Sequence, residues 1–268
     1  MNKITKVKLF INQDKKSQLV ADKLKKELLL ENIKITDYDF ELAISIGGDG
    51  SFLKMIKENN FNSSIFYIGV NSGTLGFLQE IDINDTTNFV KRLKNNDYKI
   101  EELSFEENII YHNNCQDIYN SLNEIVIRKK DFSIFKADII IDNELLEKFS
   151  GDGILISTST GSTAYNMSFN GPIIYNCLDT LVLTPIAPLN NRVYESLTNP
   201  IIIPSNKEIL IKPQDNNIFI MIDGKIKEFN DVSEIIIKSS NQKIKCVRMN
   251  DYHFIKIVNN KLINKNKN

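Results

Sequence analysis

Apolar residues follow two rhythms along the chain, and the change falls near residue 100. In "ITKVKLFIN" (4–12), Val7, Leu9 and Ile11 alternate with polar positions, the period-two pattern of a strand. "DKKSQLVADKLKKELLLEN" (14–32) spaces Leu19, Leu24 and Leu28, with Ala21, near one face of a helix and fills the other with lysines. Short unbroken apolar runs follow: "ELAISI" (41–46) ends at Gly47, and "SIFYIGVN" (64–71) ends at "SGTLG". Runs of that kind suit strands buried on both faces. Helix-like segments sit between and after them, "SFLKMIKEN" (51–59) and "INDTTNFVKRLKNNDY" (83–98), with Asp85 offered as a cap. Strands alternating with helices predict a parallel, Rossmann-like α/β domain over about residues 1–100.

From Glu101 the helical period disappears. Short apolar runs, among them "NEIVIRKK", "KADIIIDNELL", "GILISTST", "NIFIMIDGKI" and "EIIIKSS", are separated by Gly, Pro, Asn and Asp. That spacing predicts a β-rich domain over 101–245, a sandwich or layered sheets, broken by a helix starting near Ser162. Residues 246–268 read as a C-terminal tail that packs back on the first domain, fraying in the basic, Asn-rich "NNKLINKNKN".

Composition narrows the function classes. The chain has 268 residues, 42% hydrophobic, with 33 basic and 34 acidic side chains and a net charge of −1. So even a balance gives no electrostatic case for nucleic acid or an anionic membrane. Cys115, Cys177 and Cys246 are too dispersed for a zinc site or a disulfide framework, which fits a reducing cytoplasm. The first apolar run is too short for a signal peptide, and no run approaches the ~20 residues of a membrane span.

The candidate chemistry lies in loops. Gly47–Gly50 joins a strand end to a helix start, where consecutive N–H groups and the helix terminus attract anions. It is neither a Walker loop nor GxGxxG, so no lysine accompanies it, and Asp49 needs a task of its own: a metal, a proton, or a plain helix cap. "GVNSGTLGFL" (69–78) should lie beside it in the sheet. Asn123–Glu124 could grip vicinal hydroxyls or simply turn the chain into a strand. "GDGILISTSTGSTAYNMSFNGP" (151–172) concentrates hydroxyls at Ser157–Thr160, Ser162 and Thr163, suited to a polar ligand or to a Ser/Thr turn. His112 and His253 are far apart and supply no triad.

Taken together, "GGDGS" (47–51), "GVNSGTLGFL", "NE" (123–124), the 151–172 segment and "IDG" (222–224) resemble, in order and spacing, the bacterial NAD kinases. GGDG alone also marks lipid and sphingoid-base kinases; the NE and TGSTAY pieces narrow the match. Ser51 stands where that family usually has Thr, and Ser159 where Pro is frequent. The resemblance implies transfer of the ATP γ-phosphoryl group to the adenosine-ribose 2′-hydroxyl of NAD. It also implies Mg²⁺ or another divalent ion, polyphosphate as a conceivable alternative donor, and a homodimer or homotetramer with shared sites. Its site would comprise Asp49 as base beside Gly50, with Phe77 and Leu78 at the adenine. Asn123 and Glu124 would hold ribose hydroxyls, and Lys148 and Asp152 would contact NAD. Thr163, Ala164, Tyr165 and Ser168 would line the pocket, with Ala187 and Asp223 at its margin. The rival readings are a lipid kinase, which would need an apolar substrate pocket, and a non-catalytic dinucleotide sensor.

Overall fold

The computed structural model describes residues 3–73, 76–131, 133–215 and 217–263; Thr74 and Leu75 of the second glycine loop and the end of the basic tail lie outside them. The chain divides into two compact units, 1–103 with 244–268, and 104–243.

The first unit is built on β1 (Lys6–Ile11), β2 (Lys34–Ile35), β3 (Leu42–Gly47) and β4 (Phe66–Asn71). They are hydrogen-bonded in parallel in the order β2-β1-β3-β4. All six residues of β3 are buried, which is why the run reads as unbroken apolar sequence. Helix α1 (Lys15–Leu30) buries Ser17, Val20, Ala21, Leu24 and Leu28, and Asp14 caps it by accepting from the Ser17 N–H. Leu19, expected on the buried face, is 70% exposed. The stripe runs through 17, 20/21, 24 and 28, the i+3/i+4 ladder, and Leu19 lies off it. Helix α2 (Asp49–Glu58) follows β3, and α3 (Thr86–Lys94) buries Thr86, Phe89, Val90 and Leu93. Asp85 was expected to cap α3 but makes no side-chain capping bond; Asp82 instead accepts from the Asn84 N–H, capping the 3₁₀ turn Ile83–Asp85.

Residues 246–249, expected as the start of a tail, are the end of the chain's last strand, and Lys245 and Cys246 pair in parallel with Phe66 and Tyr67 of β4. The sequence then turns into a helix, Phe254–Val258, continued as helical turns over Asn259–Ile263, so the first half of the expected frayed stretch is ordered helix.

A long strand, β5 (Tyr98–His112), leads into the second unit, where it pairs antiparallel with β6 (Cys115–Ser121). Strands β7 (Glu124–Lys129), β8 (Phe135–Ile141), β9 (Glu144–Gly151), β10 (Gly153–Thr158), β11 (Thr180–Ile186), β12 (Ile201–Pro204), β13 (Ile209–Pro213), β14 (Ile218–Ile222), β15 (Lys225–Phe229) and β16 (Val232–Met249) follow. One antiparallel sheet has the order β12-β11-β10-β7-β14-β15; in the other, β13 is flanked by β8 and the first half of β16, and β9 pairs β8. Alternate residues of both, including Ile125, Ile127, Ile154, Ile156, Ile139, Ile209, Ile211 and Ile235, meet in one buried core, the two-layer β-rich architecture expected. The expected helix near Ser162 is smaller, a 3₁₀ turn Thr160–Thr163 and a single turn Tyr165–Ser168. Among the described residues, no helix is long and apolar enough to cross a membrane.

Candidate active site

In the first unit the two glycine loops leave neighbouring parallel strands, with Gly47 opposite Asn71, and so emerge together at the carboxyl edge of the sheet. Gly48 is the N-cap of α2 and Asp49 is its first residue. Asp49 does not cap its own helix. Its Oδ2 accepts from the Phe77 N–H at 2.8 Å and its Oδ1 from the Leu78 N–H at 3.0 Å. A partly exposed carboxylate is thus fixed in direction by two backbone donors while each oxygen keeps acceptor capacity toward solvent. The same strap is tied in reverse: buried Gln79 donates from Nε2 to the Gly48 carbonyl at 2.7 Å. Gly76 is glycine for lack of room, since a Cβ there would lie 1.7 Å from Asp49 Oδ1. Gln79 was not singled out in the sequence, and Gly76 was read only as one glycine of the GVNSGTLGFL loop.

Behind the strap, Glu80 and Arg248 are both buried, 3.3 Å apart, and Arg248 Nε donates to Glu101 at 2.7 Å. Burial pushes the Glu80 carboxyl up to about 7, with the Arg248 charge and the Met249 N–H opposing it. This knot fixes the strap to the last strand.

The second unit assembles a different half of the chemistry. Asn123 and Glu124 stand at the start of β7, both almost fully buried. The Asp223 carboxylate seizes this turn: Oδ1 accepts from the Asn123 N–H at 2.7 Å and the Glu124 N–H at 3.3 Å, and Oδ2 from the Leu122 N–H at 3.1 Å. The Asp223 N–H returns a bond to the Glu124 carbonyl at 3.0 Å. Asp223 holds a left-handed φ of 43°, between the β14 and β15 strands. Three N–H groups on one carboxylate make it a clamp on the Asn–Glu pair.

The hydroxyl-rich segment closes on the same turn. Thr158 Oγ1 donates to the Leu122 carbonyl at 2.6 Å and Ser157 Oγ to the Asn123 carbonyl at 3.2 Å. Ser159 donates to the Leu178 carbonyl, and Ser162 Oγ accepts from the Ile174 N–H at 3.0 Å. A Cβ on Gly161 would lie 2.0 Å from the Asn123 carbonyl oxygen. Most of these hydroxyls therefore serve backbone groups. Asn166, not singled out in the sequence, is wholly buried, bonding the Ser162 and Pro172 carbonyls and the Thr184 hydroxyl. Tyr165 and Ser168 remain exposed, with Tyr165 edge-on to Phe169 at 4.9 Å. Thr163 is buried against the Thr160 carbonyl, with Ala164 next to it. Asp152 and Ala187 meet at one corner: the Asp152 N–H donates to the Ile186 carbonyl at 2.9 Å, and Ala187 has a φ of 44°. The Asp152 carboxylate lies 3.6 Å from Arg128, and Lys148 is an exposed residue of β9 paired with Asp138. His112 stacks edge-on against Phe229 and faces Asp117 at 3.3 Å, away from any of these groups.

Beneath the clamp lies a fully buried carboxyl, Glu106 on β5. Ser121 Oγ donates to its Oε2 at 2.7 Å, and Asn108 Nδ2 donates to Ser121 at 2.8 Å. Burial raises Glu106 well above the ordinary carboxylate range; the Ser121 bond opposes this, and the Asp223 and Glu124 charges add to it.

A glycine loop that presents backbone N–H groups beside its own carboxylate, with no lysine in the loop, sets this chain among the GGDG-type kinases and apart from Walker and GxGxxG nucleotide binders. Residues 2–98 match the ATP-NAD kinase N-terminal domain and residues 122–249 the ATP-NAD kinase C-terminal domain. The NAD kinase of Finegoldia magna is 36% identical over 270 residues, spanning 96% of this chain and 98% of that protein. That of Streptococcus pneumoniae is 32% identical over 242 residues, 89% of each. Yeast NADH kinase, solved with NADH, superposes with a TM-score of 0.86 at 20% identity over 100% of this chain and 90% of that one. An NAD kinase from Archaeoglobus fulgidus, solved with ATP, gives 0.73 at 18% identity over 94% and 96%. The chain belongs to the NAD kinase family.

Proposed function

We propose that this NAD kinase uses Asp49 as the group that receives the proton of the NAD adenosine-ribose 2′-hydroxyl. The 2′-oxygen attacks the ATP γ-phosphorus, the bond to the β-bridging oxygen breaks, ADP leaves, and the hydroxyl proton passes to Asp49 as the new P–O bond forms. A carboxylate is a weak base for an alcohol, and a loose transition state asks chiefly for position and charge stabilisation. Position is what the two N–H donors from Phe77 and Leu78 supply, and this is the observation that carries the proposal. The N–H groups at the start of α2 would receive the donor phosphates. Asn123 and Glu124, clamped by Asp223, would hold ribose hydroxyls, with Thr163, Ala164 and Tyr165 beside them.

Mg²⁺ or a similar ion is expected with the triphosphate. Among the described residues, no three His, Cys, Asp or Glu side chains converge on a cation position. We also propose a cytoplasmic homo-oligomer in which Lys148 and Asp152 reach NAD. Exposed Ile134, Leu145 and Leu146 on or beside the β8–β9 hairpin support an apolar contact there.

The test is an NADP-formation assay with NAD or NADH and Mg²⁺, comparing ATP with polyphosphate. NADP made from NAD and ATP supports the reading. NAD binding with no product from any donor would replace it with the dinucleotide-sensor reading.

A further inference from the structure

Glu80 closes the strap that aims Asp49, and the way it is held depends on its charge. Both of its oxygens accept: Oε1 from the Met249 N–H at 2.7 Å and Oε2 from Arg248 Nη1 at 3.3 Å. Its own N–H donates to the Gly69 carbonyl at 3.0 Å. Beside it, Gln79 is wedged on Gly69, where a Cβ would lie 2.2 Å from Gln79 Oε1, and its Nε2 donates to the Gly48 carbonyl. Then come the Leu78 and Phe77 N–H groups that hold the Asp49 carboxylate. The run Phe77–Glu80 thus connects Asp49 to the last strand.

Arg248 is shared. Its Nε donates to Glu101 Oε2 at 2.7 Å, so one buried guanidinium serves two carboxylates, and Glu80 is the more deeply buried of the two. Burial pushes the Glu80 carboxyl up to about 7; the Arg248 charge and the Met249 N–H oppose this, and the Glu101 charge adds to it. Burial also raises Cys246 and Tyr252, in the same cluster, to about 12, so both stay neutral. Across a cavity of about 170 Å³, Asp85, Arg92, Asp251, His253 and Lys256 complete the charged and titratable surroundings, with Arg92 paired to Asp97 and Asp251.

We propose that Glu80 is a positioning residue for phosphoryl transfer: its carboxylate holds the Phe77–Glu80 strap so that Asp49 stays aimed, and its protonation slows turnover. This rests on the reading of Asp49 as proton acceptor and adds to it a fastener controlled by a proton. A carboxylate offers one acceptor oxygen to each of two donors. A carboxylic acid carries its proton on one oxygen, which would then face either the Met249 N–H or Arg248 Nη1. One of the two bonds must open. The strap has little slack, because Gln79 is wedged on Gly69, so a shift at Glu80 reaches the Leu78 and Phe77 N–H groups. A misplacement of about 1 Å can cost about 10² in rate, and a partial shift should cost about fivefold to tenfold.

The test measures kcat and KM for NAD across about pH 5.5–8.5 in the full chain, as wild type, Glu80→Gln and Glu101→Gln. Wild-type kcat should step down about fivefold to tenfold on the acid side of about pH 7, with KM for NAD moving less than about twofold. Glu80→Gln keeps the size of the side chain but turns an NH₂ toward one of the two donors, so its kcat should lie near the acid plateau and show no step. Glu101→Gln leaves Arg248 to Glu80 alone and should move the step to lower pH. A wild-type profile without the step overturns the proposal, as does a step that survives in Glu80→Gln. If Glu80→Gln melts below the assay temperature, Glu101→Gln decides alone, and an unmoved midpoint overturns the proposal. A wild-type chain that makes no NADP would instead overturn the enzyme reading. Near-normal turnover by Asp49→Asn would overturn the role of Asp49, wherever the step lies.

Discussion

Replacing Asp49 with Asn tests whether this carboxylate, which accepts from two backbone N–H groups, is also a chemical group. The Phe77 and Leu78 N–H groups each point at a separate oxygen, at 2.8 and 3.0 Å. An asparagine offers one oxygen and one NH₂, so one of these N–H groups must face a donor. Losing a charge-assisted bond of this kind costs about 1.5–3 kcal/mol. At about 2–4 °C per kcal/mol for a chain of this size, the melting temperature should fall by roughly 3–12 °C. The Asn123–Glu124 turn belongs to the other unit and is held by Asp223, so NAD affinity should change by no more than about threefold. Removing a proton acceptor from the reacting hydroxyl costs about 10²–10⁴ in rate. The assay is NADP formation at saturating ATP and NAD, beside calorimetric NAD binding and a thermal melt. A variant that melts lower yet turns over within about tenfold of wild type would refute the catalytic role and leave Asp49 as a fastener of the strap.

Three further outcomes follow from the same geometry. Gly76→Ala keeps the Asp49 charge but drives a methyl to 1.7 Å from its Oδ1, so turnover should fall by at least about 10² although no chemical group is lost; near-normal kcat would show that the direction of the carboxylate is unimportant. Asp223→Ala frees three N–H groups of the Leu122–Glu124 turn, and should raise KM for NAD about tenfold with KM for ATP unchanged; equal shifts in both would point to general unfolding. Glu106→Gln tests the buried carboxyl through pH. Its folded-state pKa is raised, so the stability tied to its proton is complete below the ordinary value of about 4.3 and is lost as pH rises toward the folded one. The amide does not ionise, so the variant should gain stability over wild type progressively as pH rises above that ordinary value in urea titrations, and parallel midpoints on both sides of it would exclude the assignment.

Much of the fold was readable because its signals are local. Buried β3 and β4 are continuous apolar runs, α1 carries its cap in Asp14, and the β-rich half alternates with turn residues between strands. The misreadings have local causes too. Leu19 is a large apolar residue one position off the buried ladder, and periodicity over a helix of 16 residues tolerates such an intruder. Asp82 and Asp85 are equally good capping residues by type, and only the 3₁₀ turn between them decides which carboxylate is used. The C-terminal strand end was taken for tail because its partner, β4, lies about 180 residues away in sequence, beyond any pattern in "KCVRM".

The site divides along a different line. Motif spacing located Asp49, Asn123, Glu124, the hydroxyl run and Asp223, but it carries no information on what each polar atom faces. A carboxylate accepts from a ribose hydroxyl or a backbone N–H with the same chemistry. The resemblance puts Asp49 at the chemistry and Asp223 only at the margin; in the structure Asp223 holds three N–H groups of a neighbouring turn, and Asp49 holds two on the strap that carries Phe77. The hydroxyls of Ser157 and Thr158 are likewise turned to the carbonyls of Leu122 and Asn123. The motif that reads as a collection of ligand contacts is in large part a set of residues holding one another in place. That is what a phosphoryl-transfer site requires when positioning is most of the catalysis. Gly76, with no functional group at all, belongs to that positioning too, since a Cβ there would lie 1.7 Å from Asp49 Oδ1.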